Sequence, residues 1–517
     1  MINLYRYSKI LTARQFVLFN LVLGIEHFLV LLNAGAYLPM LPYVTGTMDE
    51  PLAYVVWGQS NYFAAMGASF LIARPLMKRF GPKNVTLFAG ILFSMTCLAA
   101  LLSVHQFVLY TAVRMVQGYA AGLSLIPSFF LLLEYYRDNK QHVATSLWGL
   151  ALFVPFSVGP VFGGWLAYTL GDWRLLFVIS FFVSLAMTTI LWALLADWED
   201  ETSPHVSLRS PMRLSIILLA AATVLQQYFN VGLLSDLSSR FGQFWWLFFA
   251  FVFLIWLFWF ENSRSKTPLV HFSLFGRSNF GSGMLLLCLA FMAVQGGIVQ
   301  YIIRMQTVEG YTAWHVGLLF LPVFLFSKPL SVLAQKSIRK GTDPRIFAFI
   351  SLCMLAASFR WMSTYIRPAT WETLLAPQFL LGAGLGLLFA PMTAISLAHV
   401  PKNDQLHGLD LLNTARNLAA GLAITFSDIG WDRLTELEAN RVISPDTSDA
   451  ARILQYTGSP HLIHEQLVRQ ASLLTFNDLY WLLSTALVGL AWAVWLLQPV
   501  VVRNPDMVIL ENLGEEP

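Results

Sequence analysis

The sequence predicts an all-α polytopic membrane protein, and three observations carry that reading. Of 517 residues, 57% are hydrophobic and only 12% charged, where a soluble domain has roughly a quarter charged. The mean hydropathy is +0.62. The apolar residues are gathered into runs of about 20, the length that crosses a bilayer core as a helix. A net charge of +3 gives no basic surface for nucleic acid. Cys97, Cys288 and Cys353 lie dispersed in apolar runs, with no disulfide framework and no metal-ligand spacing.

Fourteen spans are expected, near 16–40, 53–72, 85–103, 107–133, 143–168, 174–195, 214–234, 244–260, 280–302, 316–334, 346–366, 374–397, 406–428 and 479–501. The first run is longer than a signal-peptide core and lacks a small-residue cleavage site, so it reads as an uncleaved span. The seventh is interrupted by Gln226, Gln227 and Asn230; the eighth is short and almost wholly aromatic and aliphatic. Placing the N-terminus inside puts most Lys and Arg in inner loops through the whole series, which sets both termini in the cytoplasm. The 429–478 loop is the only sizeable segment outside the spans. It contains helix-like 432–440 and apolar-periodic 462–474, enough for a small helical cap but not for a catalytic domain with its own core. No phosphate-binding glycine loop, metal spacing or nucleophile elbow appears, so the chain does not read as an enzyme or as the carrier of a cofactor.

The stretch 107–168 is the most informative. Arg114 lies deep in an apolar run, where it costs about 2.5–3.5 kcal/mol on insertion scales and normally faces a bundle interior or a watery cavity. Helical spacing puts Arg114, Gly118 and Gly122 on one stripe with Gln117 and Ala121 beside it. Small residues on a stripe admit a close neighbour. The next run carries Pro155, Gly159, Pro160, Gly163 and Gly164. Leu109-x-x-x-x-Arg114-x-x-Gln117-Gly118 with Ala121-Gly122 resembles the fourth-helix motif of the major facilitator superfamily of transporters. Pro155-x-x-x-Gly159-Pro160-x-x-Gly163-Gly164 resembles its fifth-helix antiporter motif. The resemblance implies two six-helix halves, here with two extra central helices. The boundaries are 1–200 for the first half, 201–270 for the inserted pair and 271–517 for the second half.

A weak internal repeat fits that division. Arg74-Pro-Leu76-Met-Lys78-Arg79-Phe-Gly81-Pro-Lys83 follows the second span. Ser331-Val-Leu333-Ala-Gln335-Lys336-Ser-Ile-Arg339-Lys340 follows the tenth. Paired halves are common in transporters. The first of these loops is similar to the superfamily's loop between helices two and three, with Arg79 and Gly81 as its conformational residues. Arg74 stands where a glycine is usual and Lys78 where an aspartate is usual, which removes the acid to which a conformational lock is attributed. Farther on, Tyr301 with Gln306 and Gly310-Tyr311-Thr312-Ala313, Pro377-Gln378 with Gly382, Gly384 and Gly386, and Asn413-x-x-Arg416-Asn417 resemble the EmrB-type branch of fourteen-span drug:proton antiporters. That branch usually has an aspartate where this chain has Val30; Glu26 lies one turn earlier.

Glu26, Arg114 and Asp410 are therefore the candidate proton-coupling residues, being ionisable groups inside spans. Glu26 reads alternatively as a solvated acid near the inner end, and Asp410 as an N-terminal cap. Arg114 is expected to bias a facing carboxylate, with Glu26 the candidate. Asn33, Gln117, Asn413, Arg416, Asn417 and Gln295 are candidate substrate contacts, and Phe63, Tyr119, Phe153 and Phe156 further cavity liners. Arg304 reads as a snorkelling residue near the outer surface. Together with the resemblance this implies an inner-membrane, proton-driven exporter of amphipathic organic compounds, needing the bilayer, a small-molecule substrate and no cofactor. An exporter of one natural metabolite, such as a siderophore, and a non-transporting membrane sensor or scaffold are the rivals. The 429–478 loop folds over its own spans or docks a periplasmic adaptor, as EmrB-type exporters are thought to do.

Overall fold

The structure is a computed structural model that describes residues 11–136, 155, 158–195, 207–234, 237–365, 370–443 and 460–500. Its elements are helices throughout the described residues. Helix α1 (Ala13–Met48) starts at a capping box, in which Thr12 accepts from the Gln15 backbone and the Gln15 side chain returns the bond. Helix α2 (Leu52–Leu102) is two arms in one: Gly81, at φ 79°, turns the chain between them, a backbone angle that side chains resist. Helix α3 (Phe107–Tyr135) carries Arg114. Helix α4 (158–169) ends in the π-helical turn Trp165–Thr169. Then come α5 (Leu175–Leu194), α6 (Arg209–Leu234), α7 (Leu237–Arg264), α8 (Phe280–Thr307), the short α9 (Ala313–Leu318) and α10 (Leu321–Arg339). The last four are α11 (Pro344–Met362), α12 (Trp371–Leu397), α13 (Lys402–Ile443) and α14 (Pro460–Ala493).

Among the described residues, eleven helices are long and apolar enough to cross a membrane, and one of them, Tyr54–Leu102, holds both arms of α2. The eighth expected span proves longer than its sequence pattern, running through Leu237–Arg264. The fifth lies partly outside the described residues, and Phe153 and Phe156 with it. The 429–478 loop differs most from expectation. Its two helical pieces are not a separate cap: they are continuous extensions of α13 and α14, beyond the ends of the spans. Residues 444–459 lie outside the described part.

Glycines set the spacing of the bundle, and they do so in the same way twice. A Cβ on Gly118 or Gly122 of α3 would meet the backbone of Tyr62 or Met66 in α2, at 2.1 and 2.5 Å. On Gly382 or Gly386 of α12 it would meet Val323 or Ser327 in α10, at 2.4 and 2.2 Å. Each glycine pair is four residues apart, so α3 lies on α2 as α12 lies on α10, backbone against backbone. The repeat is real, but its register is one helical turn away from that suggested by the basic loops: the packing matches Tyr62 with Val323 and Met66 with Ser327, so Arg74 corresponds to Gln335. A run of basic residues fixes which face a loop lies on, not its phase.

The antiporter-like helix uses its glycines to join the halves. Gly159 and Gly163 of α4 abut Gly35 and Ala36 of α1, the latter 2.1 Å from an added Cβ. Gly164 faces Ala313 of α9, and Gly317 of α9 faces Pro160. A second junction lies between α2 and α13. There Thr414 donates to the Gly67 carbonyl (3.0 Å), and Gly421 abuts Ser60.

Alanine at Gly118 or at Gly382 should each lower the melting temperature of the detergent-solubilised protein, since overpacking costs about 1–3 kcal/mol. Alanine at Gly24, which has no atom within 4 Å of the added Cβ, should leave it unchanged. Equal melting of all three variants would refute the packing argument.

Candidate functional site

Arg114 is fully buried at the centre of the first half. Its Nη1 donates to Asn33 Oδ1 on α1 (2.9 Å) and to Gln117 Oε1 on its own helix (2.5 Å). Its Nη2 donates to Gln59 Oε1 on α2 (2.8 Å). Each amide is anchored by its other end: Asn33 Nδ2 to Ser180 Oγ of α5 (3.0 Å), Gln59 Nε2 to the Ala34 carbonyl (2.7 Å), Gln117 Nε2 to Cys97 Sγ (3.1 Å). The amides therefore present oxygen to the cation and spend their N–H groups elsewhere. The guanidinium also lies over the rings of Tyr37 (4.4 Å), Tyr62 (4.7 Å) and Phe177 (5.7 Å), and Tyr62 is held by donating to the Val30 carbonyl (3.0 Å). All its acceptors are neutral.

Glu26 is not among them. Asn33 bonds the guanidinium, and Glu26 is seven residues earlier on α1, about 10 Å along the axis. It is buried, at 1% exposure, so it is not a solvated inner-end acid. Its carboxyl lies beside the hydroxyls of Ser124 and Thr188, with no basic side chain pairing it among the described residues. Gly90 makes the room: an added Cβ there would sit 2.7 Å from Glu26 Oε1 and 2.2 Å from Thr188 Oγ1. Glu26 and Arg114 are thus two separate polar sites in one half.

Asp410 is not a helix cap. It is buried on α13 and takes a two-pronged ion pair from Arg74 of α2, through Nε and through Nη2 (3.3 Å to Oδ1). The residue that replaces the usual glycine thus meets an acid from the other half. Arg416 lies over the rings of Phe389 (5.1 Å) and Phe291 (5.8 Å). Asn417 donates to the Asn413 carbonyl within α13 (2.8 Å). Gln295 is buried on α8, Phe63 is buried on α2, and Tyr119 hydrogen-bonds Ser215 of α6 (2.9 Å). Gly81 is the kink of α2, and Arg79 stacks over Phe80 at 5.5 Å. Pro155 and Pro160 are buried with the α4 glycines.

Arg304 contradicts the snorkelling expectation. Its side chain is 0% exposed, pairs with buried Glu309 (3.1 Å) and donates to Asn477 Oδ1 and the Tyr365 carbonyl (3.3 Å each). It ties α8 to α14 and to the end of α11, a structural role. Sequence reasoning missed Gln59, Tyr62, Cys97 and Ser180 around Arg114. The available signal was a glutamine and a tyrosine three apart in the otherwise apolar second span.

Comparison with known proteins agrees with this fold. Residues 23–424 match the model of the Major Facilitator Superfamily. The multidrug export protein EmrB of Haemophilus influenzae is 26% identical over 500 residues, covering 93% of this chain and 96% of that protein. The fatty acid resistance protein FarB of Neisseria gonorrhoeae is 25% identical, covering 93% and 96%. The crystal structure of a D-xylose-proton symporter is similar in fold, with a TM-score of 0.58 at 13% identity, over 94% of this chain and 98% of that one. With an arginine-centred first half, glycine-packed paired halves and a family match over most of its length, the chain belongs to the major facilitator superfamily.

Proposed function

We propose that this protein is a proton-coupled exporter of amphipathic organic compounds, working by alternating access in a bacterial inner membrane with its basic face and both termini in the cytoplasm. It is a transporter and not an enzyme, driven by the proton gradient and not by a bound cofactor. The observation that carries the reading is the caged Arg114. A guanidinium held by neutral amides at the heart of a bundle is costly to insert and stabilises no ion pair, so its use lies in what it binds or orients. Relatives named for multidrug export and for fatty acid resistance support export as the direction.

Glu26 is the proposed proton carrier, because a carboxyl beside the Ser124 and Thr188 hydroxyls, with no ion pair among the described residues, takes up and releases a proton without breaking one. Arg114→Ala should abolish proton-driven transport while leaving insertion intact, and Arg114→Lys should restore little, since a point charge cannot reproduce the planar fork. Glu26→Gln should uncouple transport or move its pH optimum. Proton flux and dye efflux in inverted vesicles decide this: full activity in R114A, or an unchanged pH profile in E26Q, removes the residue from the mechanism.

The Arg74–Asp410 pair is the proposed latch of the basic face. It joins the two halves at the end of the α2–α13 junction, so that face opens only when the pair parts. Breaking a buried pair by removing one partner is strongly destabilising, up to about 3–5 kcal/mol. Arg74→Asp and Asp410→Arg should each shift the protein toward the open basic face, read by thiol labelling of cysteines placed there, and the double reversal should recover much of the closed state. Additive single effects with no recovery would sink the latch.

The extended ends of α13 and α14 are the proposed docking site of a periplasmic adaptor. Leu437 and Leu474 stay exposed on them, at 55% and 43%, and helices that run past the membrane present a surface where a folded cap would hide one. Deleting residues 440–470 should spare transport in isolated vesicles and lower whole-cell resistance. Loss of both together, or of neither, would leave the adaptor without support.

A further inference from the structure

We infer that His271 and His407 form a second proton-binding site, on the basic face, and that proton uptake there loosens the Arg74–Asp410 pair. This rests on the reading of that pair as a latch and adds what governs it. The two imidazole rings lie face to face, with centroids 4.8 Å apart and planes 17° from parallel. They come from different parts of the chain. His407 is in the second turn of α13, three residues before Asp410 and so on the same face of the helix. His271 is in the connector between α7 and α8, where it opens the tight helical turn Phe272–Gly276.

The connector holds its histidine in a set place. Buried Asn262 of α7 accepts from the backbone N–H groups of Leu269 (2.9 Å) and Val270 (3.1 Å) and donates to the Val270 carbonyl (2.8 Å). The His271 carbonyl then accepts from the Leu274 N–H (3.0 Å). With the backbone tied on both sides of it, the His271 ring is presented in one position, and the stack staples the connector to the start of α13. Both residues are half-buried, so protons of the basic face reach them.

Among the described residues, the charged and titratable groups around His407 are the His271 ring, Arg74 and Lys78 of α2, and Asp404 of its own helix. Arg74 in turn is bound to Asp410. Neutral rings stack without repulsion, and the latch stays whole. A proton on His407 sets a positive ring against two cations and one acid, and it repels Arg74, the residue that holds Asp410 across the junction. A second proton, on His271, sets two like charges face to face. Both repulsions are relieved when α2 and the connector part from the start of α13. The open basic face therefore takes up protons more readily than the closed one, and by linkage acid on that face opens it. The closed face is favoured where imidazole is neutral. It loses that advantage as pH falls through the range, about 8 to 5, in which histidine takes up its charge.

The test places spin labels at Phe80→Cys and Asn403→Cys, exposed positions in opposite halves on the basic face, with Cys288 and Cys353 replaced by Ala. Their separation reports opening of that face in the full-length protein in nanodiscs. The open fraction should rise about threefold or more between about pH 7.5 and about pH 5.5. His271→Gln combined with His407→Gln should abolish the rise. His407→Lys, which makes that place permanently positive, should hold the face open at both values. Glu26→Gln should keep the rise, which separates this site from the proposed proton carrier. A rise that persists in the double glutamine variant, or that disappears in Glu26→Gln, overturns the inference. So does an unaltered protein that shows no rise while Asp410→Asn opens the face, an outcome that leaves the latch standing. An Asp410→Asn protein as closed as the unaltered one removes the latch reading, and the inference with it.

Discussion

A single buried guanidinium organises the first half. Placing it at the membrane centre costs about 2.5–3.5 kcal/mol on insertion scales. Three hydrogen bonds to a charged group, at about 1.5–3 kcal/mol each, offset that cost before the stacking on Tyr37 and Tyr62 is added. The offset holds only while Asn33, Gln59 and Gln117 stay in place. Asn33 is fixed by Ser180, Gln117 by Cys97 and Gln59 by the α1 backbone, so α1, both arms of α2, α3 and α5 are locked to one another through one side chain. A bundle tied in this way moves as a body. Transport motion belongs at the junctions between halves, where the described contacts are backbone against glycine, the Thr414–Gly67 hydrogen bond and the Arg74–Asp410 ion pair.

The second half repeats the packing but not the charge. Four residues before Gly382, in the place that Arg114 has before Gly118, stands Gln378, fully buried beside Tyr301 and near Tyr480. Its amide lies against the Tyr301 hydroxyl. Apart from Arg304, which is ion-paired with Glu309, a buried cation of that half is instead on α13, at Arg416, against aromatic rings. The halves are therefore alike in how helices approach and unlike in what they offer a ligand. One gives a rigid, donor-rich cage; the other gives a charge on an apolar bed. That asymmetry suits an amphipathic molecule, whose two ends also ask for different things.

How much of this the sequence revealed follows from which contacts are local. Arg114, Gly118 and Gly122 were legible because helical spacing alone puts them on one stripe. The α4 glycines were legible as a motif, though not that Gly163 faces α1 while Gly164 faces α9. Arg74–Asp410 was not legible: its members are 336 residues apart, and an aspartate near a helix start reads as a cap. The supposed pairing of Glu26 with Arg114 failed on geometry, since two residues on one face of a helix can still serve different neighbours along its length. Arg304 failed because hydropathy gives depth along the chain and says nothing of what folds over a helix end. The 429–478 helices were found, but their continuity with the spans was not, because a polar sequence can prolong a helix as readily as end it.

The inserted helices remain to be placed in the mechanism, and bond types decide the matter. Helix α6 touches both halves. Toward the first half it is hydrogen-bonded: Ser215 donates to the Ala68 carbonyl (2.9 Å), Tyr119 meets Ser215, and the Gln226 amide exchanges bonds with Ser60. Toward the second half its contacts among the described residues are van der Waals, Phe229 against Phe426 at 4.4 Å and the Gln226 side chain against Gly421. Hydrogen bonds to a buried backbone are costly to leave unmade, whereas apolar surfaces of a ring and a glycine slide with little change in energy. Helix α6, with α7 packed on it, is therefore bonded to the first half and only packed against α13 at Gly421 and Phe426 in the second.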